Sequence, residues 1–427
     1  MKPLALAGGF LYLAMGLAAQ SVPKNIVIDK DPAAYGPEEP SILVHPSDPA
    51  KLVAAANINR LYVSSDTGNT WEKIPVSSSH GVYGDPCLVG DKKGNTYFFH
   101  LSNPEGTGWA SPKLLDRIVC QRSKDFGKTW NDGSGIGENH PKDQDKEWSV
   151  LNKKGHIYTT WTQFDLYAST QEKDSTYILF SKSKSKGKKW TTPVRINEIA
   201  GNCIDSDSTV EGAVPAVGPD GEIYVCWALH ETLFFDRSFD DGKTWLAKDI
   251  EVARIAGGWD LKIPGINRCN GMPVTKVDLS SGPHRGRIYV NWADQTNGET
   301  DTDIKLVYSD DHGATWSQPQ VVNQDNSGKH QFFTWMDVDP ITGFIYIVYY
   351  DRRNYDDLRT DVVMAVSKDG GVSFEEQIIS ESPFTPNDKV FFGDYNNISA
   401  YDGIVRPIWT RLENGTLSIL TAIISKN

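Results

Sequence analysis

The sequence predicts an all-β protein, a single β-propeller of four-stranded blades. Three observations predict it. An eight-residue turn motif recurs six times at near-even spacing. A second, strand-like motif recurs seven times. The composition joins 39 % hydrophobic residues to 37 Gly, 13 Trp, 17 Tyr and 16 Phe, with no long helical pattern.

The chain opens with MKPLALAGGFLYLAMGLAAQ. One Lys, an apolar stretch and a small-residue zone form the pattern of an export signal, with cleavage expected near Ala19. The run is short for a membrane span of about 20 residues, and no other long apolar run follows. The expectation is a secreted or periplasmic protein without membrane insertion. Residues 1–20 are assigned to the signal and 21–427 to the propeller.

The turn motif reads SSDTGNTW at 64–71, SKDFGKTW at 123–130, SKSKGKKW at 183–190, SFDDGKTW at 238–245, SDDHGATW at 309–316 and SKDGGVSF at 367–374. Successive starts lie 59, 60, 55, 71 and 58 residues apart. A period of this size marks a propeller or another repeat array. The Asp can hydrogen-bond its own turn, the Gly supplies a positive φ, and the closing aromatic plugs the adjacent sheet.

The strand motif has the form I-Y-x-x-W. It occurs as NTYFFH at 95–100, HIYTTW at 156–161, EIYVCW at 222–227, RIYVNW at 287–292, FIYIVY at 344–349 and IVRPIW at 404–409, with a weaker copy KLVAAAN at 51–57. Upstream of each stands a short strand opening on a polar residue, namely Glu39, Asp85, Glu147, Glu211, Asn270, Thr334 and Asp394. Each repeat therefore runs strand A, hairpin, strand B, loop, strand C, box, strand D. Seven blades are expected; a six-bladed ring with the first repeat as an extension is the alternative. The last repeat stops after LSILTAII at 417–424 without a strand D. KNIVID at 24–29 is expected to supply that strand and close the ring, protecting an edge.

Lys+Arg 43 against Asp+Glu 55 leaves a formal charge of −12, which excludes a general nucleic-acid binder. Of the five Cys, Cys87, Cys120 and Cys226 sit in apolar runs and are expected in the core. Cys203 and Cys269 precede equivalent strands, and an oxidising compartment would permit a bridge between them.

In a propeller the D–A and B–C loops share one face with the channel mouth, where ligands bind. The long D–A stretches 131–146, 196–210, 250–269 and 380–393 point to that face. The strand-A starts bring Glu39, Asp85, Glu147, Glu211 and Asp394 around one axis, with Asp145 beside them. Carboxylates so crowded need compensation. Three explanations stand: Ca²⁺ held by Glu39 and Asp85; protonated carboxyls acting as general acids; or carboxylates that cap backbone N–H groups. Asp145, Glu147, Glu211, Asp394 and Tyr395 form the catalytic set. Arg268, Arg352 and Arg411 are the candidates for a substrate carboxylate or sulfate, with His80, His140 and His330 as further substrate contacts. Trp109, Trp259, Phe332, Phe333, Phe391 and Phe392 are candidates for stacking on sugar rings.

The octads resemble the Asp-box, or BNR, repeats of the sialidase superfamily, across essentially the whole mature chain. The resemblance implies a secreted propeller acting on glycans. It also implies an arginine trio for a substrate carboxylate, a Tyr–Glu nucleophile pair such as Tyr395 with Glu211, and an Asp acid/base. The first arginine of that trio belongs on the first inner strand, where this chain reads EEPSILVHP at 38–46 and carries Glu39 instead. A negative residue there repels a sialic acid carboxylate.

Three readings follow. The favoured one is a glycoside hydrolase working with paired carboxylates, exo-sialidase activity itself being disfavoured. The second is a lyase-like or dehydrating enzyme on uronic-acid sugars, using an Arg with a His or Tyr. The third is a non-catalytic propeller held by Ca²⁺ that binds glycan or protein. The partner expected is an oligosaccharide or glycan, the protein a monomer, with no cofactor required beyond a possible Ca²⁺.

Overall fold

The Asp boxes fold as their residue types dictate. In the first, the Asp66 carboxylate accepts the Thr70 N–H at 2.9 Å and its hydroxyl at 2.7 Å. Ser64 Oγ donates to Asp66 at 2.8 Å and accepts the Gly68 N–H at 2.9 Å. Trp71 Nε1 closes the turn on the Gly68 carbonyl at 2.9 Å. The Gly is left-handed (φ 91°), and so is Thr67 before it (φ 59°), a second reversal that the motif alone does not announce. Asp125, Asp240, Asp311 and Asp369 repeat the carboxylate bond to the residue four positions on. The third box lacks the Asp, and Ser185 Oγ accepts the Lys189 N–H in its place.

In this computed structural model residues 21–424 are described. The expected export signal lies outside the described residues. The strands form seven four-stranded antiparallel sheets, so the six-bladed alternative is excluded. Their innermost strands are Ser41–Val44, Cys87–Gly90, Asp143–Leu151, Glu211–Val217, Val274–Val277, Gln331–Val338 and Asn397–Tyr401. Each box joins strand C to strand D; the first links Arg60–Ser64 to Glu72–Ile74. Two of the expected long loops contain strand: Ser134–Ile136 and Ile250–Arg254 are outer strands of their blades. No helix among the described residues is long and apolar enough to cross a membrane.

The ring closes as expected. Asn25–Pro32 pairs antiparallel with Thr416–Ala422 as the outer strand of the last blade. It also reaches the first blade, since Asp29 accepts from Arg60 at 2.8 Å and Lys73 at 2.9 Å, and from the Tyr62 hydroxyl. Asp29→Ala removes the acceptor shared by these three donors. The expected loss is about 1–3 kcal/mol, read as a lower urea midpoint at unchanged slope.

Between blades the core is aromatic. The motif's closing residue is fully buried as Trp161, Trp227, Trp292, Tyr349 and Trp409. All five cysteines are buried and free. Cys87, Cys120 and Cys226 lie in the core as expected, whereas Cys203 and Cys269 form no bridge.

Candidate functional site

The strand-A entrances carry the site, and their register explains how. Ser41, Cys87, Trp148, Val214 and Trp335 face equivalent residues of their strand-B partners, Ala55, Phe99, Thr160, Cys226 and Val348. Two residues before each stand Glu39, Asp85, Lys146, Gly212 and Phe333, all left-handed, with φ of 51°, 48°, 55°, 78° and 48°. In three of these blades a register irregularity, or bulge, spans the kink, at Asp145/Trp148, Glu211/Val214 and Phe332/Trp335. A bulge breaks the strict alternation of side chains. Neighbouring residues such as Asp145, Lys146 and Glu147 therefore all contribute to one cluster. The acids expected at one level in fact come from successive levels: Glu211 corresponds to Asp145, while Glu147 corresponds to Pro40 and Pro86.

Lys146 is the centre of this cluster. Its buried ammonium lies 2.5 Å from Asp394 Oδ2, 3.6 Å from Asp85 Oδ2 and 3.8 Å from Glu39 Oε1. Burial alone would lower its pKa; Asp394, Asp85 and Glu39 outweigh burial and hold it well above the ordinary lysine value. The position a Ca²⁺ would take near Glu39 and Asp85 is thus shared with a resident cation. Among the described residues no group of three or more His, Cys, Asp and Glu is placed to hold a metal ion.

Arg268 is the second cation. Its Nε donates to Asp394 Oδ1 at 2.9 Å, and its two terminal nitrogens bond Asp394 and Asp205. Asp205 also accepts the Tyr167 hydroxyl at 2.7 Å. Despite its burial, Asp394 is held down to about 2 by Lys146 and Arg268. The other acids go the opposite way. Burial first, then neighbouring carboxylates, raise Glu39, Asp145, Glu147 and Glu211 well above their ordinary values. Glu39 is tied down, accepting from Asn57 Nδ2 at 2.5 Å and from the Asp394 N–H at 3.0 Å. Glu147 and Glu211 are different: both oxygens of each are buried with no hydrogen-bond partner. The Tyr395 hydroxyl is likewise buried without a partner. Burial first, then the carboxylates of Asp85, Glu39, Glu147 and Asp394, push its pKa well above the ordinary tyrosine value.

Below the acids, Tyr395, Trp148 and Trp335 form an aromatic floor, with ring centroids 4.3 Å apart for the two Trp and 5.1 Å for Trp148–Tyr395. Arg268 is the more exposed of the two cations, its side chain 30 % exposed against 5 % for Lys146. Phe391 lies under that guanidinium at 5.4 Å, and Trp109 packs on Tyr167 at 5.6 Å. Trp109 and Phe391 are 66 % and 39 % exposed and remain available to a sugar face; Trp259, Phe332, Phe333 and Phe392 are buried packing residues.

The structure therefore joins Glu39, Asp85, Asp145, Glu147, Glu211, Asp394, Tyr395 and Arg268, and leaves the other expected site residues apart. Arg352 is buried over Phe332, donating to the Pro264 carbonyl at 2.7 Å and to Thr360 at 3.0 Å. Arg411 bonds the Ser382 carbonyl and hydroxyl. The three arginines form no common clamp. His330 is buried against Thr302 at 3.0 Å, and burial lowers its pKa to about 4. His80 stands beside Asp132, and His140 beside Asp116 and Asp143.

Sequence reasoning missed Lys146, Asp205, Tyr167 and Glu38, whose carboxyl burial raises to about 7. Lys146 had a signal, since it sits between two chosen acids. Asp205 lay unmarked in a long loop.

Comparisons with known proteins agree with the fold. The BNR/Asp-box repeat family model matches residues 307–318, over the fifth box. A sialidase of Bacteroides fragilis (strain YCH46) is 26 % identical over 202 residues, 40 % of this chain and 37 % of the relative. The chain thus spans just over a third of that relative's length. Among solved structures, a family PL25 polysaccharide lyase, an ulvan lyase, superposes with a TM-score of 0.56 at 12 % identity, covering 93 % of this chain and 95 % of the other. A protein of unknown function from Dyadobacter fermentans DSM 18053 gives 0.50 at 14 % identity over 79 % and 94 % of the two chains. At such identities these two likenesses concern the fold alone. The chain is thus a seven-bladed β-propeller, similar in its fifth box to the BNR/Asp-box repeat and over 40 % of its length to a sialidase.

Proposed function

We propose that the protein is a glycoside hydrolase working at the upper mouth of the channel. The observation that carries this reading is the separation of carboxyl groups within one cluster. Glu147 and Glu211 are buried, unpartnered and raised, while Asp394, bonded to the Lys146 that also acts on both glutamates, is held ionised. Titratable groups pushed apart in this way suit an acid and a charge stabiliser. In this reading Glu211, beside Asp205, delivers its proton to the glycosidic oxygen as the bond to the anomeric carbon breaks. Asp394 faces the positive charge that develops at that carbon. A water then adds to the carbon and returns a proton to the enzyme. Lys146 supplies the fixed positive charge that keeps Asp394 ionised, and Trp109 and Phe391 offer stacking faces. The similarity of part of the chain to a sialidase supports a glycan as the substrate class.

Sialic acid is not the expected sugar. Arg268 is already engaged by Asp205 and Asp394, and Arg352 and Arg411 serve the scaffold. A substrate carboxylate would find both cations of the cluster, Lys146 and Arg268, already taken by Asp394 and Asp205. The test is mass spectrometry of neutral, sialylated, sulfated and unsaturated-uronate oligosaccharides after incubation with the protein. Products that sum to substrate plus one water, from a neutral sugar, are the expected result. Cleavage without added water means a lyase, and no product from folded protein overturns the enzymatic reading.

A further inference from the structure

A hollow of the fold lies on the opposite face from the acids. A cavity of about 660 Å³ opens among the A–B hairpins, roofed by Trp148 and Trp335 and walled by apolar residues such as Val44, Val150 and Val217. Its volume falls within the range of small-ligand sites. Eight lysines and arginines line it against two aspartates, although the chain as a whole carries −12.

The local sequence explains this concentration. Two successive hairpins read Asp91-Lys-Lys-Gly-Asn95 and Asn152-Lys-Lys-Gly-His156. Each is an Asx turn. Asp91 Oδ1 accepts the Lys93 and Asn95 N–H groups at 2.8 and 3.0 Å; Asn152 Oδ1 accepts those of Lys154 and His156 at 2.9 and 3.0 Å. Each turn leaves a pair of exposed lysines at the cavity rim. The box beside them is the one that lost its Asp, and it adds Lys184 and Lys186. The equivalent hairpin of the next blade, Gly218-Pro-Asp-Gly-Glu222, carries no lysine. Lys184 pairs with Asp241 at 2.6 Å and Lys153 lies 3.9 Å from Asp220. Lys92, Lys93, Lys154 and Lys186 have no carboxylate partner among the described residues.

We infer that this lower hollow binds a short polyanionic oligosaccharide carrying sulfate or uronate groups. This goes beyond the chemistry proposed for the upper mouth and does not depend on it. Apolar walls within a cationic rim match a ligand with C–H faces and peripheral anions. A membrane surface cannot enter a recess. A nucleic-acid strand would need exposed aromatic platforms for its bases; here the two Trp are buried and Tyr401 is half-buried.

Calorimetric titration of the purified protein tests the inference. The probes are a heparin-derived hexasaccharide, a hexagalacturonate, a neutral cellohexaose and a single-stranded DNA oligomer of matched charge. Binding of one or both charged sugars at one site per chain is expected, weakening about tenfold or more between roughly 50 and 300 mM NaCl. The two sugars distinguish sulfate from uronate recognition. The quadruple variant Lys153→Gln, Lys154→Gln, Lys184→Gln, Lys186→Gln should lose at least about tenfold in affinity with thermal stability retained, because exposed lysines contribute little to folding. Lys124→Gln with Lys128→Gln, in a neighbouring box outside the hollow, should bind as the parent does, and so should Glu211→Gln. Undiminished binding by the quadruple variant, equal loss in the Lys124/Lys128 pair, loss on Glu211→Gln, equal or tighter binding of the DNA or the neutral sugar, or no binding at all would each overturn it.

Discussion

Replacing Glu211 by Gln should lower glycan turnover by about 10²–10⁴-fold while the fold persists, the usual span for removing a positioned general acid. The side chains are nearly isosteric, so packing is kept and only the transferable proton is lost. The loss should fall on kcat and kcat/KM together, because the proton is used in the transition state and not for ground-state binding. Glu147→Gln separates the two buried glutamates: the smaller of the two losses marks the residue that acts only on its neighbours. Unchanged turnover in both variants would remove the acids from the mechanism.

The same variants carry a pH signature. The native pKa values of Glu39, Asp145, Glu147 and Glu211 are raised. The native protein keeps these protons where the unfolded chain has released them. Their contribution to stability is therefore complete below the ordinary carboxylate range and is lost as pH rises through the raised native values. Asp394, held to about 2, has the opposite sign: its contribution is present above the ordinary Asp value and is lost as pH falls through about 2. The unfolding temperature should thus be higher near about pH 5 than near about pH 8, and Glu211→Gln should flatten that slope.

Lys146→Met is the second large effect, an expected loss of about 3–5 kcal/mol in unfolding free energy, the range for removing one partner of a buried ion pair. Met keeps most of the stem's volume, so the loss is electrostatic. Glu39, Asp85 and Asp394 would share a buried space without the ammonium, leaving Arg268 as compensation for Asp394 alone. Urea unfolding measures the loss. Adding Asp394→Asn to Lys146→Met should recover part of it, since contacting charges are energetically coupled. A simple sum of the two single losses would mean that the pair does not interact.

Much of the architecture was legible from local chemistry. The box writes its own turn: Ser, Asp, Gly and Trp bond one another within eight residues, so their recurrence marks six of the seven blades. The missing last strand and the spare segment at 24–29 foretold the closure that Asn25–Pro32 makes with Thr416–Ala422. The convergence of six acids could also be read, because every blade delivers its strand-A start to the same axis.

The site's chemistry could not be read in the same way, because it depends on contacts between distant blades. Lys146 meets Asp394 across 248 positions of chain, and Arg268 meets Asp394 across 126. The left-handed residues and bulges at the strand entrances decide which neighbours enter the cluster, and no motif marks them. Only the folded ring shows that Arg268 is taken up by Asp205 and Asp394, that Arg352 and Arg411 serve the scaffold, and that Glu147 and Glu211 are left buried without partners. By itself the sequence marked the repeats and the spare strand at 24–29, since the box turns rest on hydrogen bonds within a few residues, while the folded ring fixed the count at seven and made the seam between the two ends of the chain. The tertiary structure decided which carboxyls keep their protons, since burial and the charges supplied by other blades set that balance.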